Sequence, residues 1–413
     1  MNKFSKIYRQ KERKDTPYIS LPYSKSISNR LLVIRHLSKT KADILNLSDS
    51  DDTTLLNSFL KDIETKRNNS FFCKNAGTTT RFLIALLSIC EGEFIIDAER
   101  RMQSRPILPL IEILKSLGAK IEYQNKENIF PLKIIVSQLK NNGTIKLENH
   151  LTSQIISALL LISPYIKGGL KLNLPLNQVS SSYINQTISL ANLFGAKILL
   201  KENLIVSEES KYVFRTFCVE KDYSALSFIY AFTCVGELEK VIVPNLKQSV
   251  LQGDAIAIEL FTDLGVETLF EQDYCILSYN PILVRNKLAV DVKNTPDLFL
   301  PLVVSIYAKG IEGEITGIET QRVKESNRIE NIARELNKLG ERCVVEKDRM
   351  LIHPGAIDNQ LKPKFSSYSD HRIVMALCSL VMVCKEVEFD DISCVEKSWK
   401  TFFEDTKCLI SQV

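Results

Sequence analysis

Side chains able to bind anions recur at the starts of the predicted apolar helices of this chain. Six such starts are rich in hydroxyl, amide or acidic side chains, and several carry Lys or Arg: SKSISNR (24–30), NAGTTTR (75–81), TSQ (152–154), DYS (222–224), TPD (295–297) and SDHR (369–372). A helix start offers unpaired backbone N–H groups and partial positive charge, so it attracts phosphate and carboxylate. The same residue types are ordinary N-caps, and capping is the simpler interpretation for any single helix. Six starts of this kind together favour a polyanionic substrate.

Further cations lie close to these helix starts in the sequence. Arg105 belongs to SRPI, Lys397 to SCVEKSW, and Lys324 and Arg328 to RVKESNR. Lys324 and Arg328 are four residues apart, so they would share one face if that segment is helical. A single Lys or Arg is usually a solvated surface charge. A set of this size suits a substrate that carries several phosphate and carboxylate groups, for which Arg supplies paired hydrogen bonds.

The elements that must position these groups repeat along the chain. Four amphipathic segments end in glycine, at Gly118, Gly195, Gly265 and Gly340. Glycine just beyond a helix is typical of a left-handed cap that turns the chain into a strand. Six more segments, starting near 28, 78, 152, 223, 297 and 371, are apolar on almost every face and are therefore predicted to be buried. The pattern predicts six helix–strand–helix–strand units, three in each of two α/β domains.

The charge distribution argues against nucleic-acid binding. The net charge is +4, and the first 15 residues, with six Lys or Arg and two acids, account for all of it. The remaining chain is neutral, whereas a nucleic-acid site needs a clustered excess of Lys and Arg. The basic N-terminal arm is interpreted as a solvated terminus, and an arm that contacts nucleic acid remains the alternative.

Cysteine and histidine usage indicates neither a disulfide framework nor a metal site. The ten cysteines are scattered singly, and the four histidines do not pair with them at zinc-ligand spacing. There is no apolar signal segment and no apolar run long enough to cross a membrane. We therefore expect a cytoplasmic protein, a monomer with small-molecule substrates, without contact to nucleic acid or membrane.

The motifs taken together resemble one family. S-K-S-x-S-N-R, N-A-G-T-x-x-R-F, R-P-I, T-S-Q, K-E-S-N-R and D-H-R occur in the order found in the 5-enolpyruvylshikimate-3-phosphate synthase family, from residue 18 to about residue 405. The resemblance implies two globular α/β domains, residues 21–220 and residues 1–20 plus 221–413. Each would contain three βαβαββ-type units with buried helices, an inside-out α/β barrel. The implied reaction moves the enolpyruvyl group of phosphoenolpyruvate to the 5-hydroxyl of shikimate 3-phosphate and releases phosphate, by addition and elimination, in aromatic amino-acid biosynthesis.

The resemblance also implies the roles of individual residues. Expected ligands of phosphoenolpyruvate are Lys25, Gly77, Arg105, Gln154, Arg328, Arg372 and Lys397. Expected ligands of shikimate 3-phosphate are Lys25, Ser26, Arg30, Thr152, Ser153, Gln154, Ser180, Tyr183, Asp297 and Lys324. The first domain would thus carry mainly the shikimate-phosphate contacts, and the second the acid–base and phosphoenolpyruvate contacts. No metal and no other cofactor are expected.

Asp297 and Glu325 are the implied acid–base residues, with Lys25 assisting. Each carboxylate also has a purely structural interpretation. Asp297 precedes an apolar helix, which it would cap, and this role is compatible with catalysis. Glu325 could form an ion pair with Lys324 or Arg328 on an exposed helix, and without the motif that interpretation would be preferred.

The sequence departs from the family pattern at a few positions. Tyr23 stands where the family usually has Gly, and Thr152 replaces Ser while keeping the hydroxyl. Thr320 stands where an amide or imidazole is common near the sugar-acid, so that contact is in doubt. Ser181 and Ser182 replace a basic residue followed by Pro. None of these changes removes an acid–base or phosphoenolpyruvate residue, so we expect an active enzyme.

Two other functions compete with this one. The enolpyruvyl transferase that acts on a UDP-sugar shares the fold and typically uses a cysteine in its first half, but residues 91–217 contain no cysteine. A non-catalytic anion-binding descendant of the fold is the second alternative. The joint presence of Lys25, Asp297, Glu325 and Arg372 argues against it.

Overall fold

The computed structural model describes residues 5–10, 15–103, 105–148 and 151–412. The chain forms two compact units. The terminal unit consists of Met1–Ser24 and Glu220–Val413, and the central unit consists of Lys25–Val219. Within the described ranges, no helix combines the length and the apolar character that crossing a membrane requires.

Helices and strands alternate along both units. The helices are α1 (Lys25–Ser38), α2 (Asp51–Glu64), α3 (Gly77–Leu87), α4 (Arg100–Gln103), α5 (Leu108–Ser116), α6 (Ser153–Ile162), α7 (Ser181–Leu193), α8 (Tyr223–Val235), α9 (Ala257–Thr262), α10 (Phe299–Lys309), α11 (Arg328–Asn337), α12 (His371–Cys378) and α13 (Phe402–Asp405). The strands are β1 (Ser5–Arg9), β2 (Ile44–Leu45), β3 (Ser70–Phe72), β4 (Glu93–Asp97), β5 (Lys120–Tyr123), β6 (Leu132–Ile135), β7 (Thr144–Lys146), β8 (Leu170–Asn173), β9 (Lys197–Lys201), β10 (Leu204–Glu208), β11 (Phe217–Cys218), β12 (Val241–Pro244), β13 (Val266–Phe270), β14 (Tyr274–Tyr279), β15 (Lys287–Asp291), β16 (Glu312–Thr316), β17 (Cys343–Val345), β18 (Arg349–Ile352), β19 (Lys364–Phe365), β20 (Val387–Phe389) and β21 (Ile410–Gln412).

The strands form a repeated unit. Three sheets share one strand order, β3-β4-β6-β5, β7-β8-β10-β9 and β15-β16-β18-β17. In each of them the first two strands are parallel and are connected through a buried helix. A second helix then leads into an antiparallel hairpin. The second strand of this hairpin pairs antiparallel with the second of the two parallel strands. The predicted βαβαββ pattern is confirmed in these three sheets. Of the other sheets of the described residues, β19-β20-β1-β21 also has one parallel and two antiparallel pairings, β12-β14-β13 contains only antiparallel pairings, and β11-β2 is a single parallel pair.

The buried helices are those that the sequence marks as apolar on all sides. They are α1, α3 and α6 in the central unit and α8, α10 and α12 in the terminal unit. In α6 every residue except Gln154 is buried, and in α10 the buried run extends from Phe299 to Tyr307. Each buried Leu, Ile or Phe contributes roughly 1.5–3 kcal/mol, so these helices form the core of their units. The glycines that end the amphipathic helices all have positive φ, as predicted.

Two expectations are wrong. Within the described residues, the sheets are separate and open, three in each unit, so the helices are inside but no sheet closes into a barrel. The N-terminal arm is also not simply a solvated terminus. Ser5–Arg9 forms β1, which pairs antiparallel with β20 on one side and β21 on the other. The remaining basic residues of the arm, Lys3, Lys11, Arg13 and Lys14, lie outside the described residues.

Candidate active site

Three helix starts of the terminal unit bring charged side chains together. Asp297 lies in the short turn Pro296–Leu298 that precedes α10, and Arg372 is the second residue of α12. The Arg372 guanidinium donates to Oδ2 of Asp297 over 2.8 Å. The third start is that of α11, where Asn327 caps the helix by accepting the backbone N–H of Glu330. Two of the predicted helix starts, those of α10 and α12, therefore meet within the terminal unit, and the start of α11 joins them.

Arg328, the first residue of α11, is the centre of this cluster. Its side chain is only 2% exposed, and it donates to both carboxylate oxygens of Asp370 at 2.8 and 3.1 Å. A further bond of 2.9 Å goes to Glu325, and Oδ1 of Asp297 lies 3.7 Å away. Burial opposes the charge of Arg328, but Asp370 and Glu325 raise its pKa further above the usual value. A buried cation with this many carboxylate partners remains charged and fixed in direction.

Glu325 lies between two cations. One is Arg328, and the other is Lys397, whose ammonium is 3.4 Å from Oε1 of Glu325. Lys397 ends the 3₁₀ turn Ser393–Lys397, and Lys324 immediately precedes Glu325 and is partly buried. Glu325 therefore does pair with Arg328, as the structural interpretation expects, but the pair is mostly buried and Glu325 precedes α11, so the expected exposed helix is wrong. Its side chain is 12% exposed and lies within the cluster of the terminal unit.

Asp254 is a member of the cluster that the sequence interpretation missed. It is buried in the turn Gly253–Ile256 and bonds to the hydroxyl of Ser224. Burial, and then repulsion from Asp297, raise the pKa of Asp254 to about 7, although Arg372 acts in the opposite direction. Asp254 lies in the first turn of a helical segment, as Arg328 and Arg372 do, but no motif of the sequence distinguishes it. Asp370 was visible in D-H-R but was not assigned a role of its own.

The cation of the first motif in the central unit has a carboxylate partner. Lys25 opens α1, and its ammonium lies 3.2 Å from Oδ2 of Asp52 in the first turn of α2. Both side chains are mostly buried. Ser26, the next residue, accepts a bond at its backbone oxygen from Arg30 one turn later. Lys25 is thus held in place before any substrate arrives.

Arg30 is directed into the central unit. Its guanidinium donates to the hydroxyls of Thr187 and Ser157 at 2.7 and 3.1 Å and to the backbone oxygen of Tyr183 at 3.1 Å. Burial lowers the pKa of Arg30 to about 10. These bonds connect α1 with α6 and α7. The predicted contact between Arg30 and the shikimate phosphate stays a prediction, and the geometry adds a structural function to this residue.

Gly77 and Arg105 fit against each other. A Cβ placed on Gly77 would lie 2.7 Å from Nη2 of Arg105 and 2.8 Å from its central carbon. Arg105 is 8% exposed, and its Nη1 lies 3.5 Å from the backbone oxygen of Asn75. Glycine at the start of α3 therefore permits the guanidinium to lie against the helix backbone. Two predicted phosphoenolpyruvate ligands are neighbours in the structure.

Arg81 connects these residues with the third motif. It is buried, and it donates to the side-chain oxygen of Gln154 at 2.8 Å and to the backbone oxygens of Gly77 and Pro106. Gln154 follows Thr152, which caps α6 by accepting the Gln154 N–H. Ser153, between them, is 6% exposed. Arg81 ends the second motif, and the sequence predicts no role for it. The structure shows that it orients Gln154.

Ser180 and Tyr183 lie at the start of α7. Ser180 adopts a left-handed conformation, with φ of 57°, and its backbone oxygen accepts the N–H of Tyr183. The backbone oxygen of Tyr183 in turn accepts bonds from Arg30 and Thr187. Only a few per cent of non-glycine residues adopt this conformation, and several other described residues of the chain share it. The position is consistent with the predicted ligand role of Ser180, which stays a prediction.

Two of the departures from the family pattern have structural consequences. The ring of Tyr23 supports the ammonium of Lys221 at 4.0 Å, and the same ammonium donates to the backbone oxygen of Leu21 over 2.6 Å. The next residue, Ser24, is fixed by a backbone bond to Glu220. The side-chain oxygen of Thr320 is buried and has no hydrogen-bond partner among the described residues.

Comparison with known proteins identifies the family. The protein-family model described as EPSP synthase (3-phosphoshikimate 1-carboxyvinyltransferase) matches residues 56–406 of the chain. The 3-phosphoshikimate 1-carboxyvinyltransferase of Bacteroides fragilis (strain YCH46) is 35% identical over 391 residues, which cover 94% of each chain. The protein of the same name from Sulfurovum sp. (strain NBC37-1) is 30% identical over 413 residues, covering 94% of this chain and 95% of the relative.

The fold agrees with this comparison. The structure of EPSP synthase from Acinetobacter baumannii superposes with a TM-score of 0.80 and covers 99% of this chain and 100% of its own. Sequence identity in that superposition is 19%, so it shows the shared fold of two α/β domains. The chain therefore belongs to the EPSP synthase family, the transferases that carry out the enolpyruvyl transfer of the shikimate pathway.

Proposed function

We propose that this chain transfers the enolpyruvyl group by addition and elimination, with Glu325 and Asp297 as its acid–base residues. The observation that supports this most is the arrangement around Arg328. Two carboxylates, Glu325 and Asp297, lie 2.9 and 3.7 Å from its guanidinium. Each carboxylate also contacts a second cation, Lys397 or Arg372. Paired carboxylates held by cations are suited both to proton transfer and to the binding of an anionic substrate.

The addition step needs one proton donor and one proton acceptor. Glu325 donates a proton to the methylene carbon of phosphoenolpyruvate, which leaves an electron-poor carbon for the 5-hydroxyl oxygen of shikimate 3-phosphate to attack. Asp297 takes the proton of that hydroxyl. In the elimination step the carbon–oxygen bond to phosphate breaks, the leaving phosphate receives the proton that Asp297 took, and the methyl group returns one proton to Glu325 to re-form the methylene. Lys25 assists by stabilising developing negative charge.

Substrate binding favours the protonated form of Glu325 at the moment when it must donate. Without substrate, Arg328 and Lys397 are the near neighbours of this carboxylate. The phosphate and carboxylate of phosphoenolpyruvate attract both cations, and this attraction competes with their hold on Glu325. We assign Arg328, Arg372 and Lys397 to phosphoenolpyruvate on this basis.

The central unit supplies the remaining ligands in the proposal. Gly77, Arg105 and Gln154 bind phosphoenolpyruvate. Arg81 holds Gly77 and Gln154, and Arg105 lies against Gly77. The hydroxyl-rich starts of α1, α6 and α7 bind shikimate 3-phosphate, and the terminal unit adds Asp297 and the ammonium of Lys324. These starts contribute Lys25, Ser26, Arg30, Thr152, Ser153, Gln154, Ser180 and Tyr183.

A phosphate-release assay tests the proposal. Purified protein should release phosphate only when both phosphoenolpyruvate and shikimate 3-phosphate are present. Asp297→Asn and Glu325→Gln should reduce kcat about 100- to 10,000-fold while leaving the affinity for phosphoenolpyruvate nearly unchanged. A chelator should not alter the rate. Phosphate release from phosphoenolpyruvate alone, or activity that requires a divalent ion, would overturn the proposal.

We also propose that the protein acts as a monomer in the cytoplasm. All ten cysteines are free thiols, which suits a reducing compartment. Size-exclusion chromatography with light scattering should give a mass near 46.9 kDa. A concentration-independent mass of twice that value would contradict the monomer.

A further inference from the structure

Glu335 is a buried carboxylate far along α11 from the catalytic cluster. Its side chain is 1% exposed. One oxygen accepts the hydroxyl of Tyr368 at 2.6 Å, and the other accepts the backbone N–H of Ser366 at 3.1 Å and pairs with the ammonium of Lys338. Two of these three partners belong to the segment between β19 and α12. Glu335 therefore fastens α11 to the segment that leads into α12.

Tyr368 has a left-handed backbone conformation, which is unfavourable for a bulky side chain. Ser367 to Asp370 form a tight turn, in which the Asp370 N–H donates to the Ser367 oxygen over 2.9 Å. The two central residues, Tyr368 and Ser369, have φ of 52° and 51°. Turns with two positive φ values strongly prefer Asn, Asp or Gly at these positions. A bulky residue here requires a compensating interaction, and the bond between Tyr368 and Glu335 supplies one.

The turn places Asp370, the carboxylate that holds Arg328. Asp370 immediately follows Ser369, caps α12, and accepts two bonds from Arg328 at the start of α11. The same two segments are thus connected twice. At one end a carboxylate of the turn holds an arginine of α11, and at the other end a carboxylate of α11 holds the tyrosine of the turn.

We propose that Tyr368 and Glu335 are positioning residues for phosphoenolpyruvate binding, acting through Asp370 on the direction of Arg328. The inference rests on the proposed role of Arg328. Burial, and then the bond to Glu335, raise the pKa of Tyr368 to about 12, so the hydroxyl remains a donor at neutral pH. Without this bond the strained turn relaxes, Asp370 shifts, and Arg328 loses its paired support while both charges remain in place.

The first test is Tyr368→Phe, which keeps the ring and removes only the hydroxyl. The KM for phosphoenolpyruvate should rise about three- to tenfold, less than the full effect of losing a hydrogen bond to a charged group, because Tyr368 acts on Arg328 only through Asp370. The KM for shikimate 3-phosphate should change less than about twofold. Tyr307→Phe is the matched control, because it also removes a buried hydroxyl of the terminal unit, one that donates to the Gly340 oxygen at the far end of α11. It should leave both KM values unchanged.

Tyr368→Gly separates positioning from folding. Glycine accepts positive φ without strain, so the turn should keep its conformation even without the bond to Glu335. This variant loses the ring that packs against the core and should unfold at a lower temperature, but it should raise the KM for phosphoenolpyruvate less than Tyr368→Phe does. Glu335→Gln should raise it as well, because the amide meets the Ser366 N–H with a second donor. A lowered unfolding temperature with unchanged KM in Tyr368→Phe would show that the pair only stabilises the fold.

A double-variant cycle tests the path through Asp370. Adding Tyr368→Phe to Asp370→Asn should change the KM for phosphoenolpyruvate less than about twofold, because the intermediary is already lost. Full additivity of the two effects would overturn the inference. Arg328→Lys distinguishes a failure of the proposed role of Arg328 from a failure of the positioning role of Tyr368. If it leaves the KM for phosphoenolpyruvate unchanged, the proposed role of Arg328 fails. If it raises that KM while Tyr368→Phe does not, only the present inference fails.

Discussion

At Gly77 the absence of a side chain allows Arg105 to lie against the start of α3. In Gly77→Ala the new methyl would overlap the guanidinium, which is the flexible end of a long side chain, so Arg105 moves and the helix remains. We expect an unfolding temperature close to that of the wild type and a KM for phosphoenolpyruvate raised roughly tenfold or more, because a charge-assisted contact is lost. Steady-state kinetics measure this. In an Arg105→Ala background the same change should have little further effect, and an undiminished effect there would contradict the explanation.

The raised pKa of Asp254 predicts that the stability of the protein depends on pH. Its pKa in the folded protein, about 7, is above the ordinary aspartate value of about 3.9. Such a group favours the folded state most at low pH, and this contribution is lost as pH rises through the interval from about 4 to about 7. Asp254→Asn cannot ionise. Its free energy of unfolding should therefore rise relative to the wild type across that interval, by on the order of 4 kcal/mol.

Denaturant titrations of both proteins at several pH values measure this difference. Asp222→Asn is a useful comparison, because Asp222 is a second acidic cap beside Ser224 that the structure uses as the N-cap of α8. A difference between wild type and Asp254→Asn that stays constant with pH would show that Asp254 is ionised throughout.

At the scale of elements, the periodicity of apolar residues in the sequence was sufficient to predict the buried helices. Segments such as α6 and α10 are apolar on every side, and only burial at the centre of a domain accommodates them. The strand β1 was not predictable in the same way. SKIYR is short and itself carries two cations, Lys6 and Arg9, and its pairing depends on strands almost 400 positions later in the chain. Lys6 of this strand binds Glu386 and Glu388, so a charge that indicates a solvated arm in the sequence is a sheet contact in the structure.

This sheet should weaken at low pH. Burial tends to raise the pKa of Glu388, but hydrogen bonds from Lys364 and Lys6 outweigh it and lower that pKa below the usual value. The ion pairs therefore stabilise the folded state above the ordinary glutamate pKa of about 4.3, and this stability is lost as pH falls through the lowered value. In Glu388→Gln the contribution is absent at every pH.

Thermal unfolding at descending pH measures the effect. The difference in unfolding temperature between wild type and Glu388→Gln should be largest near neutral pH and shrink in acid. Glu271→Gln, at an exposed carboxylate just after β13, is the matched control and should follow the wild type. Parallel curves for wild type and Glu388→Gln would contradict a role for the ion pairs of β1.

At the scale of the whole molecule, the motifs predicted the family and the reaction, and the comparisons confirm both. The motifs could not distinguish a side chain that binds substrate from one that supports another side chain. Arg30 and Arg81 each end a motif typical of an anion site. In the structure, both direct N–H groups of their guanidinium to side chains of the central unit. Asp254 and Glu335 carry no motif, because their importance arises from burial and from neighbours distant in sequence.

The most direct test of the account is the exchange of solvent deuterium into the methylene group of phosphoenolpyruvate. With shikimate 3-phosphate present, the wild type should incorporate deuterium, because Glu325 donates and recovers a proton at that carbon. Arg372→Ala should still exchange at saturating phosphoenolpyruvate, since it loses a binding contact and keeps the acid. Glu325→Gln should lower the exchange rate about 100- to 10,000-fold, because an amide cannot donate and recover the proton. Wild-type exchange in Glu325→Gln would show that another group protonates the carbon and would contradict the proposed mechanism.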